Sequence, residues 1–497
     1  MKRKTKSLQT AISPESQIEQ QLDRFKPMIS PKEFIKLLAE VKKTLIPAIR
    51  INPLKTKPGF TKTLIDQYGW SLTTIPYCPT GYRVETIHKL SISSTVEHKT
   101  GMYYIQEAAS MLPVELFNIG RETDALTLDL AASPGGKTTH LIDRQKDSGL
   151  VIANDSSQGR IQALKIVLQH WGACSAAVTR FPGEKFGGWY PNTFDRALID
   201  APCSMQGLRT AESHASRPVT DKESRTLSLR QIALLTSSLQ AVRVGGEVVY
   251  STCTLLPEED EGVVDAFLCR YNKSVKLLEQ RKILTSPAPG IQTVDGQGYK
   301  HSMKNTIRFW PHRYQTAGFF ACIFQKTGEI DLPVLRPPEH SMENAGFYQF
   351  SSAQQKQFSI LFESWSGYPL QHHLEINNRV LVRRNERVFV FPRLLLERFR
   401  SLPVQSAGIL LGEDEPDGFV VSHEWVSRFG AECQTICITL DDEQFQFYTQ
   451  GMDIPGYSDC LKTNSNIRVV MDSNERILGR GKVFRDRLKN LSFRQFA

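Results

Sequence analysis

Apolar positions along the chain follow two different periods, and the change from one to the other divides it. Over residues 17–46, Ile18, Leu22, Phe25, Ile29, Phe34, Leu37, Leu38 and Val41 recur at mixed three- and four-residue spacing, which predicts helix, with Pro31 opening a second helix. Residues 48–54 read as a strand, 63–68 as a helix and 71–75 as a strand ahead of a turn region at 76–81, together a small mixed α/β module. From about residue 125 short apolar runs alternate with helical stretches. The runs at 125–130, 150–154, 175–179, 196–200 and 247–251 read as buried strands, the clearest helix spans 224–242, and a last strand at 318–325 ends this part near 328. That alternation is the pattern of a parallel sheet with helices on its faces.

Residues 331–340 carry Pro333, Pro337 and Pro338 and read as a stiff, extended linker. Beyond it the texture turns to β. Runs at 380–382 and 388–390 alternate around Arg384-Asn385-Glu386, a hairpin signal, and further β runs fall at 408–411, 434–439 and 467–471, so roughly the last 95 residues are expected to form a compact β-rich domain.

Composition narrows the class. At 497 residues the chain exceeds what one hydrophobic core supports, so at least two domains are expected. A hydrophobic fraction of 40% and a charged fraction of 23% fit a soluble globular protein. The net charge of +9, from 61 basic and 52 acidic residues, suits a polyanionic partner. The basic residues 1–6 are followed by a polar run, not an apolar core, and no stretch of about 18 apolar residues occurs, so neither a secretory leader nor a membrane span is expected. Nine cysteines are scattered with no Cys-x-x-Cys pair. That spacing indicates neither a metal site nor a disulfide framework, and a reducing cytoplasm is the expected compartment.

Two groups of residues carry candidate chemistry. The first predicted strand of the parallel sheet runs into Ala131-Ala132-Ser133-Pro134-Gly135-Gly136-Lys137, where small residues let the backbone approach a ligand at the strand's carboxyl end. The loop matches neither Gly-x-Gly-x-x-Gly nor the Walker pattern, which argues against dinucleotides and nucleoside triphosphates. The second strand ends at Asn154-Asp155, 18 residues past Lys137. Asp155 is either an N-cap for the next helix or an acceptor for the ribose hydroxyls of an adenosine group, the role favoured beside such a loop.

The second group is Asp200-Ala201-Pro202-Cys203-Ser204 at the end of the fourth strand, with Ser251-Thr252-Cys253-Thr254 at the end of the fifth. A single cysteine at a strand end is ordinarily a small buried hydrophobe. Two of them at the ligand-binding edge, one beside Asp200, point to nucleophilic chemistry. Carbon 5 of a pyrimidine reacts poorly until a nucleophile adds at carbon 6, and a thiolate splits that substitution into addition, transfer and elimination. Asp200, protonated or hydrogen-bonded to the ring's N3 and amine edge, would stabilise the adduct and select cytosine.

In combination these motifs resemble the cytosine-5 RNA methyltransferase family. The match covers about residues 50–327 and includes Arg50-Ile51-Asn52, Tyr104-Ile105-Gln106-Glu107-Ala108, the Pro-Gly-Gly-Lys loop, Asp-Ala-Pro-Cys-Ser, Arg230-Gln231, Ser-Thr-Cys-Thr and Gly318-Phe319-Phe320. The stretches at 68–70, 75–77 and 104–113 look similar to the bacterial branch that modifies small-subunit ribosomal RNA. Residues 406–408 and 474–482 resemble, less specifically, the PUA-like RNA-binding domain of that branch.

The resemblance implies an α/β, Rossmann-like fold dependent on S-adenosyl-L-methionine. It places an N-terminal α/β RNA-binding module at 1–123, the methyltransferase domain at 124–328, a linker and small β-containing module at 329–400, and a PUA-like RNA-binding domain at 401–497. Cys253 would be the nucleophile, Cys203 would aid release, Asp200 would assist both catalysis and cofactor binding, and residues 131–137 with Asp155 would hold the cofactor. The expected partner is RNA, small-subunit ribosomal RNA or the assembling subunit, acted on by a monomer.

Two departures bear on this. Pro182-Gly183 stands where the family usually has an acid after the third strand, with Glu184 two residues on as a substitute, and Met205-Gln206-Gly207 stands where Gly-x-Gly is common. They motivate the alternative of a non-catalytic RNA-binding or ribosome-assembly factor that keeps the fold. Methylation of transfer RNA is a further alternative with the same active site.

Overall fold

The computed structural model describes residues 22–86, 91–207, 219–279, 283–284, 286, 288–294, 296–416, 418–457 and 466–492. Ile18, the basic residues 1–6 and Cys460 lie outside the described residues. The helix predicted to open at Pro31 spans Pro31–Val41, and the Ser30 hydroxyl caps it by accepting the Glu33 N–H at 3.3 Å. Its Phe34 and Leu37 pack with Leu255, Leu256 and Trp310, which brings the helix against the chain just after Cys253.

Four antiparallel strands make the N-terminal sheet: β1 (Ala48–Ile51), β2 (Ser71–Ile75), β3 (Cys78–Glu85) and β4 (Tyr103–Ile105), in the order β2-β3-β1-β4.

The central sheet holds β5 (Leu126–Asp129), β6 (Leu150–Asn154), β7 (Ala176–Thr179), β8 (Phe194–Asp200), β9 (Val242–Thr252), β10 (Val275–Leu277), β11 (Phe319–Lys326) and β12 (Ser406–Ala407), in the order β10-β11-β9-β8-β5-β6-β7-β12. Strands β5 to β9 are parallel; β11 runs antiparallel to β9 and to β10. Every residue of β5, β6 and β7 is buried, as required of strands covered on both faces, which explains their unbroken apolar runs. The chain passes from β5 to β6 on one side, and β8 returns on the other side of β5. The carboxyl edge between β5 and β8 is therefore the point where strand order reverses, and ligands of open α/β sheets bind at that crevice.

Three expectations for the second half need correction. Residues 434–439 are not one strand: a 3-10 turn covers Gln434–Ile436 and only Cys437–Thr439 is extended. The division at 400/401 runs through a single five-stranded sheet, because strand Arg387–Pro392 pairs with Ile409–Glu415. Residues 329–400, expected as a linker and small β-containing module, carry strands Tyr348–Gln349, Arg379–Arg384 and Arg387–Pro392, but they pack against the central domain instead of standing apart from it. The Leu335 N–H donates to Gly188 O at 2.7 Å, while Met342, Phe347, Val380, Val382, Phe391 and Leu395 share a core with β5 and β8.

Among the described residues no helix is long and apolar enough to cross a membrane.

Candidate active site

Three segments leave the carboxyl edge of the central sheet side by side: 130–137 after β5, 201–207 after β8 and 253–256 after β9. In the first, Gly135 has φ +116°, and a Cβ there would stand 2.9 Å from Val167 on the helix Gln158–Trp171. Only glycine allows both that backbone conformation and that approach. A Cβ on Gly136 would meet the Tyr104 ring at 3.0 Å. The N-terminal module thus roofs a cavity of about 190 Å³ lined by Tyr104, Gln106, Glu107, Ser110, Lys137 and Asp200, with Ile105 and loop residues Ala131, Ala132, Ser133, Pro134 and Gly136.

The roof is bolted down by Arg50 of β1, which is fully buried. It donates to Gln106 Oε1 at 3.0 Å, to Gly136 O at 3.2 Å, to Thr139 Oγ1 at 2.5 Å and to the Asp143 carboxylate, and its guanidinium lies 4.7 Å from the Trp171 ring. Burial pushes the Asp143 carboxyl up to about 7 against the pull of Arg50. The pair is thus made away from water, and removing either partner would strand the other.

At the reacting edge, Lys137 Nζ donates to Asp200 Oδ2 at 2.6 Å, and Ser251 Oγ donates to Asp200 Oδ1 at 2.9 Å. Burial penalises the Lys137 ammonium, but the charge and hydrogen bond of Asp200 outweigh it and hold the pKa above the ordinary lysine value. Beneath them Asp129 accepts the Thr138 hydroxyl at 2.7 Å, and burial pushes its carboxyl up to about 7.

The Cys203 and Cys253 sulfur atoms are 3.3 Å apart. Their hydrogen bond pushes the Cys253 thiol down, against the effect of burial, while the same bond and burial push Cys203 well above the usual thiol range. Of the two thiols Cys253 is therefore the one that loses its proton more readily, its charge opposed by Asp200 and favoured by Lys137. Both side chains remain partly accessible, so the site joins a polarised thiol pair to a cavity carrying a cation, Lys137, and a carboxylate, Glu107.

Glu107 accepts the Ala317 and Ser110 N–H groups at 3.0 and 3.1 Å. Burial raises its pKa.

The site departures are accommodated locally. Met205 has φ +59°, a conformation costing a non-glycine residue about 1–2 kcal/mol. A Cβ on Gly207 would lie 2.7 Å from Cys253 O, so that glycine is required by close packing against the cysteine segment.

Gly135, Asp155 and Glu184 do not join the cavity lining. Asp155 is 1% exposed, accepts the Ser157 N–H at 2.8 Å and pairs with Arg160 at 2.9 Å. Glu184 pairs with Arg230 at 3.0 Å.

The structure adds several residues to those expected. Asn154 ties three loops together by donating to Leu130 O and Phe181 O and accepting the Phe181 N–H, while Tyr104, Gln106 and Glu107 wall the cavity. The 104–108 motif marked the last three, but nothing in the spacing placed it over the loop. Cys78, Glu115 and His140 also meet, His140 Nε2 lying 2.9 Å from Glu115 and 3.8 Å from Cys78. They come from three distant segments, beyond the reach of any spacing rule.

Of the six basic residues in 476–489, three stand in ion pairs. Arg476 pairs with Asp472 and Glu97, Lys482 with Glu415 at 3.3 Å and Arg487 with Asp453 at 3.1 Å. Residues 401–497 carry 10 basic and 14 acidic side chains, against 42 and 30 in residues 1–328, so the positive charge sits with the N-terminal module and the central domain.

Residues 118–325 match the family profile described as 16S rRNA methyltransferase RsmB/F, and residues 19–108 match that of the N-terminal domain of 16S rRNA methyltransferase RsmF. A protein named ribosomal RNA small subunit methyltransferase F from Shewanella oneidensis is 30% identical over 463 residues, 93% of this chain and 92% of the relative. The protein of that name from Vibrio vulnificus is 28% identical over 454 residues, 91% of each chain. Among solved structures, a methyltransferase homolog protein from Pyrococcus horikoshii superposes with a TM-score of 0.55 at 27% identity, covering 63% of this chain and all of that one.

Proposed function

Because the chain belongs to the ribosomal RNA small subunit methyltransferase F family, we propose that it methylates carbon 5 of a cytosine in small-subunit ribosomal RNA through a covalent Cys253 adduct. The observation that carries this reading is the pair of sulfur atoms 3.3 Å apart at the ends of β8 and β9, beside the Lys137–Asp200 pair and the cavity under Tyr104. S-adenosyl-L-methionine, when bound, supplies an electrophilic methyl group. A cavity walled by both Lys137 and Glu107, with glycine where a Cβ would strike Tyr104, suits its zwitterionic amino-acid end. Residues 131–134, Gly136, Lys137, Glu107 and Asp200 would hold it.

The chain's own groups then act in order. Cys253, as the thiolate, adds to carbon 6 of the cytosine; the sulfur–carbon bond forms and the ring's electron pair moves to carbon 5, the atom that takes the methyl group. Asp200, held by Lys137 and Ser251, accepts a hydrogen bond from the exocyclic amine and fixes the ring's orientation. Solvent water at the partly open site takes the carbon 5 proton, the C–H electron pair re-forms the ring double bond, and the carbon 6–sulfur pair leaves with Cys253 as the thiolate. The Cys203 thiol eases that departure by donating its hydrogen bond to the sulfur that regains negative charge. A non-catalytic assembly factor would have no use for so polarised a thiol pair.

The test is methyl transfer from labelled cofactor to small ribosomal subunits. Cys253→Ala is expected to lose about 100-fold or more of turnover while binding cofactor as the wild type does. Turnover near the wild-type level would refute the assignment.

A further inference from the structure

Glu259, Asp260 and Glu261 are consecutive, and all three side chains are buried. Carboxylates in a row are normally a solvated surface feature, and taking them out of water is costly unless each is hydrogen-bonded or paired. Glu261 pairs with Arg308, whereas Glu259 and Asp260 find partners in the segments that flank the two cysteines.

Glu259 Oε2 accepts the N–H of Ser204, the residue after Cys203, at 2.9 Å and the Gln231 amide at 3.0 Å; the same amide nitrogen donates to the carbonyl of Pro202, the residue before Cys203, at 2.9 Å. Asp260 Oδ1 accepts the hydroxyl of Thr252, the residue before Cys253, at 2.5 Å. Asp260 Oδ2 pairs with Arg308 at 3.0 Å, and Arg308 donates onward to the carbonyl of Leu255, two residues past Cys253, at 3.0 Å. The Ser204 and Thr254 hydroxyls, one residue after each cysteine, lie 3.2 Å apart. Asp260 occupies the N-cap of the helix Glu261–Arg270 yet makes no side-chain cap bond there. An aspartate at that position ordinarily satisfies its own helix; this one is turned toward the cysteine strand instead.

We propose that Glu259 and Asp260 are positioning residues that set the spacing of the two cysteine segments, Glu259 with Gln231 bracketing Cys203 and Asp260 with Arg308 bracketing Cys253. Neither acid touches the cavity. Both act through the backbone and hydroxyl groups that flank the thiols. The functional part of this proposal rests on the proposed roles of Cys253 as nucleophile and Cys203 in release.

The experiment reads the spacing directly, with the full-length protein and three variants: Glu259→Ala, the conservative Glu259→Gln, and Gln231→Leu. Diamide takes two electrons and two protons from neighbouring thiols, joining them as a disulfide while it becomes the hydrazine, and peptide mass spectrometry follows the Cys203–Cys253 link. Cofactor affinity is measured beside it by calorimetry, and kcat and KM by methyl transfer.

Glu259→Ala and Gln231→Leu are expected to slow cross-linking about 10-fold and to lower kcat about 100-fold, the scale of a misplacement near 1 Å. Cofactor affinity and KM for RNA should stay within about threefold, and Glu259→Gln should restore most of both rates. Cross-linking at the wild-type rate in Glu259→Ala would overturn the proposal, as would loss of cofactor affinity in step with turnover, which would make the acid a general determinant of the fold. If spacing depends on Glu259 but Cys253→Ala still turns over, the bracket stands and the nucleophile assignment falls.

Discussion

Arg50 of β1 and Asp143 of the helix following the 131–137 loop form an ion pair with side-chain exposures of 0% and 3%, so the N-terminal module and the central domain are joined inside the protein. Arg50→Met leaves the Asp143 carboxylate buried without its cation. It is expected to cost about 3–5 kcal/mol, and adding Asp143→Asn to recover part of that loss, because the stranded charge rather than the missing contact dominates. Urea unfolding of the single and double variants measures it. Cofactor affinity should fall alongside, since Arg50 also holds Gln106 and Gly136.

A second expectation follows from the hydrogen bond between the thiols. If Cys203 eases the departure of Cys253, Cys203→Ala slows elimination and a protein–RNA adduct accumulates during turnover. A slowly migrating band on a denaturing gel, dependent on cofactor and absent from the Cys203→Ala, Cys253→Ala double variant, is the expected readout. Normal turnover without the band would leave Cys203 a packing residue.

RNA binding is expected to depend on the N-terminal helix more than on the end of the chain. Lys32 and Lys36 are exposed on Pro31–Val41, the helix that packs beside Leu255 and Leu256 and so borders the cysteine edge. Each phosphate contact contributes about 0.7–0.9 to the slope of log affinity against log salt. Lys32→Gln with Lys36→Gln should therefore reduce the slope by about 1–2. Arg485→Gln with Lys489→Gln should leave it nearly unchanged. Filter binding at several salt concentrations decides between the two surfaces.

The fourth expectation concerns pH. Lys55 Nζ donates to Thr100 O, His170 O and Ser427 Oγ at 2.9, 2.8 and 2.6 Å, tying the N-terminal module to both other parts of the chain. Burial, with Arg428 adding repulsion, pushes its pKa down to about 7. Above that value the unfolded chain binds the proton and the folded one does not. This group's contribution to stability accordingly rises with pH from about 7 toward the ordinary lysine value, by up to about 1.4 kcal/mol per unit. The stability difference between wild type and Lys55→Met should grow in that sense from pH 7 to 9.5, measured by denaturant unfolding; a flat difference would contradict it.

The strands β5 to β9 could be read from sequence because burial on both faces writes itself as unbroken apolar runs, and both cysteines could be placed because each ends such a run. Arg50, Glu259 and Asp260 could not. A buried ion looks in sequence like any surface charge, and only the partners, 93 residues away for Arg50 and 55 for Glu259, distinguish the two. The boundary at 400/401 failed because antiparallel pairing across a loop leaves no compositional mark.

Ser406 and Ala407 pair with Val178 and Ala177 of β7, only two residues of a sheet otherwise built by the central domain. Without them β7 would be the sheet's outermost strand, offering a row of unmet N–H and C=O groups to any extended chain nearby, the usual starting point of edge-to-edge aggregation. The C-terminal part of the molecule thus acts as a guard rail for the catalytic domain. A polypeptide ending at residue 328 would keep the thiol pair, Glu259, Asp260 and the 131–137 loop, and would still be expected to stick to itself.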